Sequence, residues 1–262
     1  MDSSGPSTCL SDNAATPDWN RLFPDADYRL SMGLRPGDAE RFWSDWDSSG
    51  SVHAQRQHWL STSPEHYAAC LDEGQEARTE ALSWMRSISA APEPDWVLMS
   101  AETQQEPRAV AGEVVFPSSW SLPDKIGLPM SAVHSPVPGL PEKIGPGIQS
   151  FLSRLNPEAA WERENWGFAA DDELNHHPSR PRLRLTADAR SETTWIRLEH
   201  QFLTRLPQTL CILFGIRVTC HRLDQIAALP GLRQRIHRAL ITMPEALARY
   251  KGLHECRHAI LA

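Results

Sequence analysis

The sequence predicts an α+β fold in which an antiparallel sheet is flanked by helices from both ends of the chain. The first observation is a hairpin: residues 194–205 and 209–221 alternate as two long strands joined at Leu206-Pro207-Gln208. The second is helical periodicity before and after it, over 38–88 and 223–250. Shorter strand-like runs at 96–100, 109–116 and 160–169 supply further members of the sheet.

Taken in order, residues 1–25 are rich in Ser, Asp, Pro and Asn and read as a disordered or loosely ordered tail. Residues 26–262 read as a single domain. Helices are expected from Asp38 to near Leu60 and from Ser63 to near Ile88, the second opened by Pro64 and carrying Tyr67, Cys70, Leu71, Ala77, Leu82 and Met85 at helical spacing. The stretch 107–146 contains eight prolines, too many for regular structure, so it is expected to be a long ordered loop with short helices near 125–126 and 130–134. A helix follows over 147–155, and 171–191 is a polar loop. In the second hairpin strand Leu210, Ile212, Phe214, Ile216 and Val218 share a face that must be core. In the first, Trp195, Arg197, Glu199, Gln201 and Arg205 share one face, while Ile196, Leu198, His200 and Phe202 share the other. Helices at 223–229 and 232–250, the latter interrupted by Pro244, close the chain.

Composition narrows the functional classes. The chain has 262 residues, of which 40% are hydrophobic and 23% charged, as in ordinary globular proteins. No apolar run is long enough to span a membrane, and the N-terminus shows no signal-peptide pattern. The net charge of −7 argues against nucleic-acid and anionic-membrane partners. Five cysteines without a C-x-x-C pair disfavour a disulfide framework and point to a reducing, cytoplasmic setting. Residues 1–177 hold 12 Lys+Arg against 27 Asp+Glu, and residues 178–262 hold 14 against 6. That asymmetry fits an anion site, or pairing between the two halves.

His254-Glu255-Cys256-Arg257-His258 matches H-E-x-x-H, but almost no chain follows to supply a third ligand, so coincidence is the better reading. His176-His177 reads as a hydrated surface pair. No nucleotide-binding glycine motif and no nucleophile elbow is present. His134 lies in an apolar loop stiffened by Pro129, Pro136 and Pro138; a fixed imidazole there suits an axial haem ligand and equally suits a buried histidine bonded to backbone. The polar face of Arg197, Glu199 and Gln201 is either solvated or a pocket wall. As a wall, Glu199 would hold an amine or carry protons and Arg197 would pair with a carboxylate.

Six separated stretches follow the order of one family. They are 116–127 (FPSSWSLPDKIG), 134–138 (HSPVP), Arg163-Glu164-Asn165-Trp166, 197–207 (RLEHQFLTRLP), Phe214-Gly215-Ile216-Arg217 and Arg249-Tyr250-Lys251-Gly252. Together they resemble the haem-dependent oxidative N-demethylase family, over about Tyr28 to Gly252. The resemblance implies a PAS-like fold: an antiparallel sheet with flanking N- and C-terminal helices enclosing a pocket for haem b. It implies oxidation of a small secondary amine such as dimethylamine by O2, with electrons from a flavin and iron–sulfur reductase partner. The implied roles are His134 as the iron ligand, Glu199 as the catalytic acid that accepts the ammonium, and Arg163, Asn165, Trp166, Arg197 and Arg217 around the cofactor. His200 is an alternative ligand, although its parity sends it to the face opposite Glu199. The alternative from another class is a non-catalytic haem or gas sensor on the same scaffold. The chain departs from the family at His200, where an arginine is usual, and at 215–219, which reads Gly-Ile-Arg-Val-Thr in place of Thr-Ile-Arg-Thr-Tyr.

Overall fold

The computed structural model of the protein describes residues 16–100, 106–157 and 159–261. The hairpin is the spine of one antiparallel sheet. Its strands in chain order are β1 (Arg35–Pro36), β2 (Ala68–Cys70), β3 (Asp95–Met99), β4 (Ala109–Glu113), β5 (Trp161–Ala169), β6 (Trp195–Arg205) and β7 (Ile212–Arg222). They lie side by side as β1-β5-β6-β7-β3-β4-β2. β6 pairs with β7 along its whole length, from Trp195 opposite Arg222 to Arg205 opposite Ile212, and β5 pairs with its other edge.

Both faces of the sheet are covered. On the back, α1 (Trp19–Leu22) and α2 (Ala39–Trp43), with their flanking residues, bring Trp19, Phe23, Phe42 and Trp43. α5 (Gln75–Ile88) adds Ala77, Ala81 and Met85, while α9 (Leu223–Ala227), α10 (Leu232–Thr242) and α11 (Glu245–Tyr250) add Leu223, Ile236, Leu240 and Leu247. These pack on Ile196, Leu198, Phe202 and Leu213 of the hairpin. The fit is close: a Cβ at Gly215 would stand 2.7 Å from the ring of Phe42 and 2.8 Å from that of Trp43, so only glycine admits them. On the front, Val114 to Phe116 and Leu122 cover the end of the sheet near β3 and β4. After the short α7 (Leu140–Lys143), α8 (Gly145–Ser153) seats Leu152, beside Leu155, against Met99, Leu203 and Ile212.

The structure revises several sequence expectations. The helix expected over 38–60 is two pieces, α2 and α3 (Ser51–Thr62). Between them Asp47 accepts from the backbone N–H groups of Ser49 and Val52, a local turn that competes with helix. The helix expected over 63–88 is also divided. After α4 (Pro64–Tyr67) the chain becomes β2, because the exposed edge of β4 offers Ala68–Cys70 a ladder. Of the tail expected over 1–25, residues 1–15 lie outside the described residues, whereas α1 is capped by Asp18 and buries Trp19. Leu210 does not reach the core: it has φ 59° in the turn and is 45% exposed, and β7 begins at Ile212. His176 and His177 are buried, not hydrated. His176 pairs with Asp171 at 2.9 Å, while His177 stacks on His66 and lies against Tyr67.

Candidate functional site

Four polar side chains form a block on the front of the sheet. Register places Arg163 opposite Gln201 and Asn165 opposite Glu199, so all four rise from the same face of β5 and β6. Asn165 Nδ2 and Gln201 Nε2 both donate to Oε2 of Glu199, at 3.2 and 2.8 Å. Oε1 accepts nothing from any described residue. Val218 and Ile216 of β7 stand opposite Glu199 and Gln201 and make the neighbouring wall apolar.

Space lies in front of this block. Glu199 is only half-buried although its strand is flanked on both sides, while Arg197 and Gln201 on the same face are buried. Two residues beyond Asn165, a Cβ at Gly167 would meet nothing within 4 Å. Arg163 Nε is buried without a hydrogen-bond partner among the described residues. Burial lowers the Arg163 pKa, opposed by Glu199, Glu164 and Tyr28.

Two further groups converge on Arg163. His134 ends α6 (Met130–His134), a helix begun at Pro129 and pinned by Glu106, which accepts from the Ser131 hydroxyl at 2.7 Å. Its half-buried imidazole has no hydrogen bond to any described residue. Burial and then the Arg163 charge push its pKa below 6.5, with Lys125 adding and Glu106 opposing, so at neutral pH it presents an unprotonated nitrogen. Lys251, in the turn after α11, donates to the Trp166 carbonyl at 2.6 Å, with Nζ 5.4 Å from the centre of the Trp166 ring. Burial pulls its pKa down to about 8; Glu199 opposes this and Arg163 adds to it.

The arrangement offers a carboxylate oxygen to a cation, a guanidinium N–H to an anion and a neutral imidazole to a metal. Among the described residues no group of three or more His, Cys, Asp or Glu is placed to hold a metal ion. An unprotonated imidazole of this kind suits iron that a porphyrin already holds. Arg163 Nε–H suits the carboxylate such a ring carries. The residues present thus fit haem.

The other sequence candidates stand apart. Trp166 projects from the back of β5, where it packs on Phe23 and Tyr28. Arg197 shares the front face, but its donors are engaged by Ser118 Oγ and the carbonyls of Phe116, Pro117, Glu173 and Leu174, so it ties the covering loops to the sheet. Arg217 lies on the back in a buried ion pair with Glu93 and under the carbonyls of Phe42 and Ser44. Trp166 and Arg217 thus lie on the face opposite Glu199, and Arg197 spends its donors on the covering loops. His200 is also on the back, bonded to Thr219 Oγ1 at 3.0 Å, and burial drives its pKa to about 3. His254 to His258 form turns, not the helix that would align two imidazoles.

Lys251 joins the site without having been singled out. The signal for Lys251 was present: it is one of three lysines, inside a stretch already noted for its resemblance. Comparison with known families gives one finding. The model of the family described as haem-dependent oxidative N-demethylase, alpha subunit-like, matches residues 81–261, well over half of the chain and every residue of the site.

Proposed function

Because this chain belongs to the haem-dependent oxidative N-demethylase, alpha subunit-like family, we propose that it is the haem-binding component of a multi-component enzyme that demethylates a small secondary amine such as dimethylamine. The observation that carries the reading is Glu199. It is a carboxylate with one oxygen satisfied by two amides and the other without a partner among the described residues, on the same face as Arg163, whose charge also acts on His134.

When bound, haem b supplies O2 chemistry, driven by electrons from a flavin and iron–sulfur partner. The chain's own residues bind and orient. His134 holds the iron through its neutral nitrogen, at the end of a helix fixed by proline and Glu106. Arg163 takes an anionic group of the cofactor on Nε, which has no partner among the described residues. Glu199 Oε1 takes the ammonium, while Asn165 and Gln201 fix the carboxylate plane so that the N-methyl group has one orientation. Val218 and Ile216 exclude water beside it. On this reading the fold is PAS-like and the front of the sheet is the haem wall.

The test is O2 consumption by the haem-loaded protein with a chemical or enzymatic reductant. Dimethylamine should stimulate uptake and formaldehyde should accumulate with it. Haem without amine-stimulated uptake would transfer the protein to the sensor class.

A further inference from the structure

Gly167 is unlike every other described glycine. Each of the others either has a positive φ or would bring a Cβ within 4 Å of another atom, whereas Gly167 has an ordinary φ and a Cβ there would meet nothing within 4 Å. Neither the backbone nor the packing requires it. Glycine inside a strand is less stable than alanine, so the fold forgoes stability here that a methyl group would supply without a clash. Such a glycine marks a bulge or a place where another group comes close to the backbone. β5 and β6 pair evenly from Trp161 opposite Leu203 to Ala169 opposite Trp195, so there is no bulge, and no described chain comes close. Resting on the amine reading of Glu199, we propose that the space over Gly167 receives the second N-substituent of the amine, so that the substrate class is N-methylalkylamines with dimethylamine as the smallest member.

The placement follows from the register. Arg163, Asn165 and Gly167 alternate onto the front of β5, and Gly167 is the next front-face residue after the Asn165 that donates to Glu199 at 3.2 Å. The two substituents of a secondary ammonium diverge from its nitrogen, so when one methyl is held for oxidation the other group must run along the wall. On one side of the Asn165–Glu199 pair stand Arg163 and Gln201, two long side chains that fill it. On the other side stand Gly167 and Arg197. Gly167 contributes no side chain, and the Arg197 guanidinium is turned to Ser118 Oγ and the carbonyls of Glu173 and Leu174. Arg197 across the ladder and Phe168 and Ala169 after it are buried, so Gly167 lies among covered residues. Val218, opposite Glu199 on β7, adds an apolar neighbour suited to an alkyl chain.

The experiment is calorimetric titration of dimethylammonium, N-methylethylammonium and N-methylpropylammonium chlorides into the full-length protein supplied with haem. Wild type, Gly167→Ala and Gly167→Val are compared, with a thermal melt and an absorption spectrum of each. Every methylene that enters the space should raise wild-type affinity about fourfold. Gly167→Ala should melt no lower than wild type and lose part of that gain. Gly167→Val should lose all of it, so that the three amines bind alike, with the haem spectrum kept; should it not fold, the partial loss in Gly167→Ala decides. The proposal is overturned if wild type binds dimethylammonium but gains nothing with chain length, or if the gain survives both substitutions. A markedly lower melt for Gly167→Ala would make the glycine structural, and loss of its haem absorption would give the space to the cofactor; either overturns the proposal. Failure of wild type to bind any of the three amines overturns the amine reading of Glu199 itself, and this inference with it.

Discussion

Glu199→Gln separates binding from folding, because the two carboxylate oxygens have different partners. Oε2 accepts from Asn165 Nδ2 and Gln201 Nε2, and Oε1 is left for a ligand. A glutamine can keep its carbonyl oxygen under the two amides and turn its NH2 outward, so the wall survives and only the ligand-facing atom changes from acceptor to donor. Stability should move by less than about 1 kcal/mol. A hydrogen bond to a charged group contributes about 1.5–3 kcal/mol, so amine affinity should fall roughly 10- to 150-fold. Titration calorimetry with dimethylammonium and a thermal melt on the same samples give both numbers. Glu199→Ala is the contrasting case: it leaves both amides unpaired, so it should lose stability as well, by about 1–3 kcal/mol. Wild-type amine affinity in a folded Glu199→Gln variant would place the amine elsewhere.

Three further outcomes follow from the scaffold. Glu93 pairs with Arg217 and accepts from the backbone N–H groups of Trp46 and Asp47, all of them buried, so Glu93→Ala should cost about 3–5 kcal/mol in urea unfolding; a loss below about 1 kcal/mol would contradict the pairing. His200 is buried and neutral, with its pKa lowered from 6.5 to about 3, so the unfolded chain takes up a proton that the fold refuses. That stability is complete above pH 6.5 and falls between 6.5 and about 3. The slope is on the order of 1.4 kcal/mol per pH unit, and Thr219-linked His221, lowered to about 4, acts in the same direction. His200→Gln should flatten the acid limb of a stability-against-pH curve, and an unchanged limb would refute the assignment. Gly215→Ala forces a methyl group into the rings of Phe42 and Trp43 and should destabilise by about 1–3 kcal/mol in the same urea assay, with no change meaning the contact is loose.

The hairpin was legible because β-branched and aromatic residues alternate over long runs. Its two faces were not, because helices and loops bury both, so Arg197 and Arg217 look like pocket residues and are anchors. Parity did place Glu199 and Gln201 together, and the β5 register added Arg163 and Asn165. Lys251 escaped because it arrives from a turn at the far end of the chain, where no periodicity points. β2 escaped because three residues carry no pattern and exist as strand only through β4. Trp19 was hidden inside a polar segment whose one apolar turn packs on His221.

The proposed function rests on His134 holding haem in front of the sheet. The direct measurement is the absorption spectrum of the protein produced with haem supplied, wild type beside His134→Ala, with circular dichroism to confirm that both are folded. Wild type should show a Soret band that shifts or disappears in the variant. A folded wild type without a Soret band, or a variant with an unaltered one, would contradict it.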